Sequence, residues 1–142
     1  MTPARTILVV DDNEANVALF EHLLTISGYD VKSAVDAESA LLSIEQAKPM
    51  LVLTDIQLPG ASGLEMAQRL RADPATADIC IIAVSAYAMT SDEQWALDAG
   101  CDGYISKPID TRTFSSLVDM FFRARPASHG GDIGPGTRPS RD

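Results

Sequence analysis

Residues 5–124 predict an α/β fold, a five-stranded parallel sheet covered by helices on both faces. Two observations carry that expectation. Short apolar runs alternate along the chain with longer segments that each carry one apolar stripe. The runs are apolar on both faces, as strands buried on both sides must be. A helix between two such strands makes a parallel crossover, and it must bury its stripe on the sheet.

The elements follow in order. Ile7-Leu8-Val9-Val10 reads as a strand ending at Asp11-Asp12. Glu14 to Ser27 reads as a helix with Val17, Phe20 and Leu24 on one stripe, Asn13 as its cap and Gly28 as its stop. Asp30–Ala34 (DVKSA) alternates only weakly, which suits a strand near the sheet edge. Asp36 caps a second helix that turns Ala40, Leu41 and Ile44 inward and ends before Pro49. Met50–Thr54 (MLVLT) is a buried strand ending at Asp55, and Leu58-Pro59-Gly60 is loop. A helix over Gly63 to Arg71 precedes the strand Ile79–Val84, which ends at Ser85. Asp92 to Ala99 is helical and stopped by Gly100, and Gly103–Ser106 is a short strand ending at Lys107-Pro108. Asp110 caps the last helix, which buries Phe114, Leu117, Val118 and Phe121. Five strands of this kind fit a flavodoxin-like doubly wound (βα)5 sheet of order 2-1-3-4-5.

Composition narrows the function. The 142 residues suggest one domain with a core that needs no staples. Twenty acids against eleven Lys and Arg give −9. Arg125, Arg138 and Arg141 against Asp132 and Asp142 make the last eighteen residues +1, so the part before them carries −9 − 1 = −10. Such a field repels nucleic-acid phosphates and suits a basic protein partner or a divalent cation. No apolar run reaches the ~18–20 residues of a membrane span. The opening MTPARTILVVDD does not read as a signal peptide. Cys80 and Cys101 match no zinc or CxxC spacing, and two isolated thiols in an acidic chain point to the cytoplasm. We expect a folded domain over 1–125. The segment 126–142 has four Gly, three Pro and one large apolar residue, Ile133, and is expected to be a disordered tail.

Right-handed crossovers put the carboxyl ends of all five strands on one edge. In that order the first and third strands are neighbours, so Asp11, Asp12 and Asp55 converge. Two like charges ~4 Å apart repel by about 4 kcal/mol at an effective dielectric near 20. A cation relieves that repulsion. Hard oxygen ligands with space for water suit Mg²⁺. Lys107 adds a positive charge and Ser85 a hydroxyl. The set suits phosphoryl transfer to a carboxylate, with the cations neutralising the equatorial oxygens. The turn after the first strand reads DDNEAN, with no Gly-rich phosphate cradle for a nucleotide. Taken singly, each residue has a plainer reading: Asp11-Asp12 as first-turn acids that favour a helix dipole, Lys107 as a solvated lysine. Their joint arrival on one rim is what argues for chemistry.

These residues, with DIQLPGASGLE after the third strand, SAYAM after the fourth and GYISKP at the fifth, resemble the receiver domain of two-component response regulators over about residues 5–124. They look most like single-domain receivers of the DivK type. The resemblance implies that Asp55 accepts the phosphoryl group from a sensor histidine kinase or a histidine phosphotransfer protein. It implies that Asp12 and Asp55 bind Mg²⁺ directly, Asp11 mostly through water, and Gln57 through its backbone carbonyl. Lys107 would pair with the phosphoryl group. Ser85 would hydrogen-bond it, with Tyr104 turning inward as the aromatic switch and the Lys107-Pro108 bond cis. Gln57 and Tyr87 would tune water attack, and a bulky Tyr87 implies a long-lived phosphoryl group. Output would pass to a downstream protein target by contact, without enzymatic turnover of a substrate.

Two other readings stand beside this one. A phosphorylation-independent interaction module would not need the acidic set. An aspartyl-phosphate hydrolase of the haloacid dehalogenase kind wants a second acid two residues after the nucleophile, where this chain has Gln57. Elsewhere, Trp95 is either core or a partner contact. Met120 and Phe122 fall off the buried stripe of the last helix, which raises a homodimer patch there or on the fourth-helix face. His22 reads as an exposed helix residue, Cys80 as a buried strand thiol and Cys101 as a loop thiol.

Overall fold

The computed structural model describes residues 5–58, 62–85, 90–107 and 109–124. Expectations that rest on Pro59, Gly60, Tyr87, Pro108 and the segment 126–142 lie outside the described residues. The elements are β1 (Thr6–Val10), α1 (Glu14–Ile26), β2 (Asp30–Ala34), α2 (Ala37–Gln46), β3 (Leu51–Asp55), α3 (Gly63–Ala72), β4 (Cys80–Ser85), α4 (Thr90–Asp98), β5 (Gly103–Ser106) and α5 (Phe114–Ala124). They form one parallel sheet of order β2-β1-β3-β4-β5, as the alternation predicts. The weakly patterned strand, β2, lies at the edge.

The pleat divides the core in two. Leu8, Val10, Val52, Ile81 and Ala83 face Ala40 and Ile44 of α2, Met66, Ala67 and Leu70 of α3, and Ala96 of α4. Ile7, Val9, Leu51, Leu53, Ile82 and Val84 face Phe20 and Leu24 of α1 and Phe114 and Val118 of α5. On that second face the Phe20 and Phe114 rings stack with centroids 5.3 Å apart. Such aromatic pairs contribute beyond their buried area.

Local chemistry sets the element ends. Asn13 accepts a hydrogen bond from the Asn16 N–H at 2.9 Å, and Asp36 one from the Ser39 N–H at 2.8 Å, so both predicted caps form. Ser62 and Glu65 make a reciprocal capping box at the start of α3. Gly28 and Gly100 take the positive φ that lets the chain turn away after α1 and α4.

Several expectations need correction. β3 and β4 end at Asp55 and Ser85, and each starts one residue later than the patterns Met50–Thr54 and Ile79–Val84 suggest. The fourth helix begins at Thr90, two residues earlier than the pattern suggests. Asp110 does not cap α5 directly. Its carboxylate accepts from the Arg112 N–H at 3.0 Å and closes a separate turn, after which the helix starts at Phe114. Phe122 is half-buried against the α1/α5 core, because the apolar stripe of α5 is wide enough to include it. Met120 is 51% exposed and Trp95 is 56% exposed. His22 is exposed as expected. Cys101 lies in the loop after α4 yet is as fully buried as Cys80. The two thiols belong to opposite faces of the sheet, so they do not pair.

Two outcomes follow for stability. Phe114→Ala removes half of the stacked pair and opens a cavity, and should lower unfolding free energy by about 3–5 kcal/mol in a urea titration. The bond from the Ser39 N–H holds the Asp36 carboxyl below its ordinary value. A depressed carboxyl contributes stability above its unfolded pKa and loses it as pH falls through the folded value. The stability difference between the native protein and Asp36→Asn should therefore shrink on acidification below the ordinary carboxylate range, and remain flat from there to neutrality.

Candidate functional site

The carboxyl ends of β1, β3, β4 and β5 meet at one rim, because parallel strands all point the same way. β1 lies beside β3, with Val10 paired to Thr54, so Asp11 and Asp55 emerge close together. β3 lies beside β4, with Asp55 paired to Val84, which puts Ser85 next along the rim. β4 pairs with β5 through Ser85 and Ser106, and the Lys107 N–H donates to the Ser85 carbonyl at 2.7 Å. Register alone therefore delivers the four predicted positions to one place.

The acids are crowded. One carboxylate oxygen from each of Asp11, Asp12 and Asp55 lies within 4.8 Å of the other two. They differ in environment. Asp11 is 1% exposed, Asp55 is half-buried and Asp12 is exposed. The Lys107 ammonium sits between two of them, 3.1 Å from Asp55 Oδ2 and 3.4 Å from Asp11 Oδ2. A buried carboxylate is tolerated only when it is paired and hydrogen-bonded. Asp11 meets that condition: Oδ1 accepts from the Asn13 N–H at 2.9 Å and Oδ2 from Asn16 Nδ2 at 3.2 Å. Asp55 Oδ1 accepts from the Gln57 N–H at 3.0 Å. One lysine balances only one of three negative charges. The rim surrounds an open cleft of about 300 Å³ lined by Asp11, Asp12, Asn13, Asn16, Asp55, Gln57 and Lys107. A hard divalent cation fits that set of oxygen donors.

Of the remaining predicted residues, Gln57 lines the cleft, whereas Ser85 and Tyr104 are not part of its lining. Ser85 is 1% exposed at the end of β4. Tyr104 is half-buried on β5 and packs against the α2/α3/α4 core, behind the rim. Gln57 is exposed on the loop after β3. Tyr87 lies outside the described residues.

Three contributors were not singled out from sequence. Asn16 reaches Asp11 from the first turn of α1, three residues after the cap. Thr54 is buried and its hydroxyl donates to the Asp55 carbonyl at 3.0 Å. Gly63 starts α3 with its N–H donating to the Ile56 carbonyl at 2.8 Å, and a Cβ there would run into the Asp55 carbonyl oxygen. The only signal for Gly63 was a glycine at the start of a helical pattern, where a side chain would ordinarily help.

A parallel 2-1-3-4-5 sheet with this acidic rim defines a class, and residues 7–119 match the model of the response regulator receiver domain. The chain belongs to that family, whose members are signalling proteins of two-component systems. It is 38% identical over 117 residues to the polar-differentiation response regulator DivK of Brucella anthropi, covering 82% of this chain and 95% of the relative. The DivK of Brucella ovis matches equally, at 38% over 117 residues. Among solved structures, a response regulator from Chloroflexus aurantiacus superposes with a TM-score of 0.81 at 28% identity, covering 85% of this chain and 99% of that one. A CheY-like receiver from Methanospirillum hungatei gives 0.77 at 30% identity, covering 85% and 95%. The chemotaxis regulator CheY4 of Vibrio cholerae shares the fold, with a TM-score of 0.79 over 84% of this chain and 99% of that one at 22% identity. Among the described residues no helix is long and apolar enough to cross a membrane.

Gly63→Ala should push α3 away from Asp55. The expected outcome is a lowered melting temperature together with weakened divalent-cation binding, measured by thermal scans with and without Mg²⁺. Unchanged behaviour would mean that α3 yields without moving the rim.

Proposed function

We propose that this protein is a receiver that takes a phosphoryl group on Asp55 and signals by protein contact. The observation that supports this most is the Lys107 ammonium bridging Asp11 and Asp55 at 3.4 and 3.1 Å beside an exposed third carboxylate. The donor is a phosphohistidine on a sensor kinase or a phosphotransfer protein. The phosphorus–nitrogen bond breaks, the Asp55 carboxylate forms the new phosphorus–oxygen bond, and the histidine ring leaves with the electron pair.

Each side chain has a share in that step. Asp12, Asp55 and the backbone carbonyl of Gln57 would hold Mg²⁺, with Asp11 in its outer sphere. The bound ion supplies charge neutralisation for the phosphoryl oxygens. Lys107 already lies 3.1 Å from the acceptor carboxylate, so its ammonium needs little displacement to pair with the new group. The Gln57 N–H donates to Asp55 Oδ1 and holds the carboxylate in one orientation. Asn13 and Asn16 hold Asp11 from the other side. Ser85 donates a hydrogen bond to a phosphoryl oxygen. Gln57 and Tyr87 govern access of water to the acyl phosphate.

The phosphoryl group adds about −1.5 to −2 charge at a site that already carries three acids. It draws Ser85 and Lys107 together, Tyr104 turns inward behind them, and the surface over residues 86–107 changes. Moving such an equilibrium from mostly inactive to mostly active takes about 5.5 kcal/mol of differential interaction. A buried charge-assisted hydrogen-bond network is of the strength to supply it. The polar-differentiation response regulators DivK, 95% of whose length this chain covers, support a signalling role. We place the protein in the cytoplasm, where a soluble kinase core presents its phosphohistidine. Exposed Trp95 and Met120 leave the fourth- and last-helix faces open to a target or a second copy.

Phosphotransfer from a panel of autophosphorylated histidine kinases tests the reading. The native protein should acquire label in Mg²⁺, and lose that capacity in EDTA and in Asp55→Asn. Label that persists in Asp55→Asn would move the acceptor elsewhere. Phosphoryl decay should quicken in Tyr87→Ala, and an unchanged or slower decay would remove Tyr87 from that role.

A further inference from the structure

Arg71, far from the acidic rim, makes an unusually complete set of bonds. It is the penultimate residue of α3, at the end of the sheet opposite the site. Its Nε donates to the Gly100 carbonyl at 2.8 Å. Nη1 donates to the Ala77 and Ile79 carbonyls at 2.8 and 2.6 Å. Nη2 pairs with Asp102 Oδ2 at 2.6 Å, and both side chains are largely buried, 17% and 4% exposed. The same Asp102 oxygen accepts from the Ile81 N–H at 2.9 Å, while the Asp102 N–H donates to the Ile81 carbonyl. One guanidinium thus joins the end of α3, the segment leading into β4, the turn after α4 and the first step towards β5. A fork of five fixed donors can do this and a lysine cannot.

Most of the described surface of α4 faces solvent. Among its described side chains Ala96 is buried and Leu97 half-buried, whereas Glu93, Gln94, Trp95 and Asp98 are exposed. The one fully buried side chain described on it is an alanine methyl, which buries little apolar area. Its carboxyl end is tied differently. The Gly100 and Cys101 N–H groups donate to the Leu97 and Ala96 carbonyls at 3.0 Å each, and Cys101 and Ala99 are buried. Gly100 has a φ of +105°, and a Cβ there would lie 2.7 Å from Arg71 Cγ, so the turn and the arginine are fitted to each other. At its other end α4 begins five positions after Ser85 of the rim.

We propose that the Arg71–Asp102 clamp is the pivot of α4: it fixes the carboxyl end of the helix to β4 and β5, so that a change at Ser85 swings the amino end. Arg71 acts here as a positioning residue. This rests on the reading of Asp55 as phosphoacceptor. Without the clamp, the same pull would be dissipated in a loosened turn at Gly100. The chain carries a single reporter for this motion, since Trp95 on α4 is its one tryptophan.

The test is the fluorescence change of Trp95 on adding beryllofluoride with Mg²⁺, a mimic of the phosphoryl group, compared with label uptake from acetyl phosphate on the same protein. The native protein should label and show a Trp95 change. Arg71→Gln should label to the same extent and lose most of that change. Asp102→Ala removes the acceptor that Arg71 Nη2 and the Ile81 N–H share, and should behave alike; it serves if Arg71→Gln fails to keep its native circular dichroism. Full Trp95 amplitude per labelled molecule in both variants would overturn the pivot. So would a native protein that labels while Trp95 stays silent. A native protein that takes no label from any donor would instead overturn the phosphoacceptor reading, and the pivot with it.

Discussion

Three carboxylates held within 4.8 Å of one another, with one lysine among them, constrain everything at the working edge of this protein. Such a set is unfavourable by itself, because like charges repel by several kcal/mol at this separation even with substantial screening. The fold tolerates it through specific bonds. Lys107 bridges Asp11 and Asp55, and the Asn13 and Gln57 N–H groups and the Asn16 amide donate to further lone pairs of the same two carboxylates. The exposed Asp12 completes a ring that is still short of positive charge. That deficit suits a divalent cation, whose charge would also offset the repulsion an anionic phosphoryl group meets there.

The sheet is what keeps the deficit in place. Parallel pairing from β2 to β5 aligns the carboxyl ends, and the strands are packed on both faces by helices whose apolar stripes leave almost no exposed core. Close approach refines the placement. The α3 start can lie against the Asp55 carbonyl only because residue 63 has no Cβ. At the opposite end of the sheet, Arg71 and Asp102 tie together the segments that feed β4 and β5. The clamped end and the charged end are therefore different ends of the same strands, with α4 running between them and, among its described side chains, only Ala96 fully buried.

Most of this architecture was legible in the sequence. The runs ILVV, MLVLT and ICIIAV are apolar on both faces, and only a sheet covered on both sides buries such runs. Asn13, Asp36 and Gly28 mark helix ends by chemistry that acts within a few residues, so they could be read locally. Asp11, Asp12, Asp55 and Lys107 were legible because strand ends in a parallel sheet share an edge whatever lies between them. What escaped depends on three-dimensional approach. Asn16 looks like any polar helix residue until Asp11 is placed beside it. Arg71 and Asp102 are 31 positions apart and carry no pattern that links them. Asp110 looked like a helix cap, but its own carboxylate closed a turn first. Phe122 looked surplus to a narrow stripe, and the stripe on α5 proved wider.

A phosphate-accepting carboxylate at this rim requires that a divalent cation bind beside it. Amide NMR of the ¹⁵N-labelled protein titrated with Mn²⁺, which broadens signals close to the bound ion, measures this directly. Broadening should begin at Asp11, Asp12 and Asp55–Gln57, reverse with EDTA, and weaken sharply in Asp12→Ala. Broadening spread evenly over the acidic surface, or centred on another part of the fold, would contradict it.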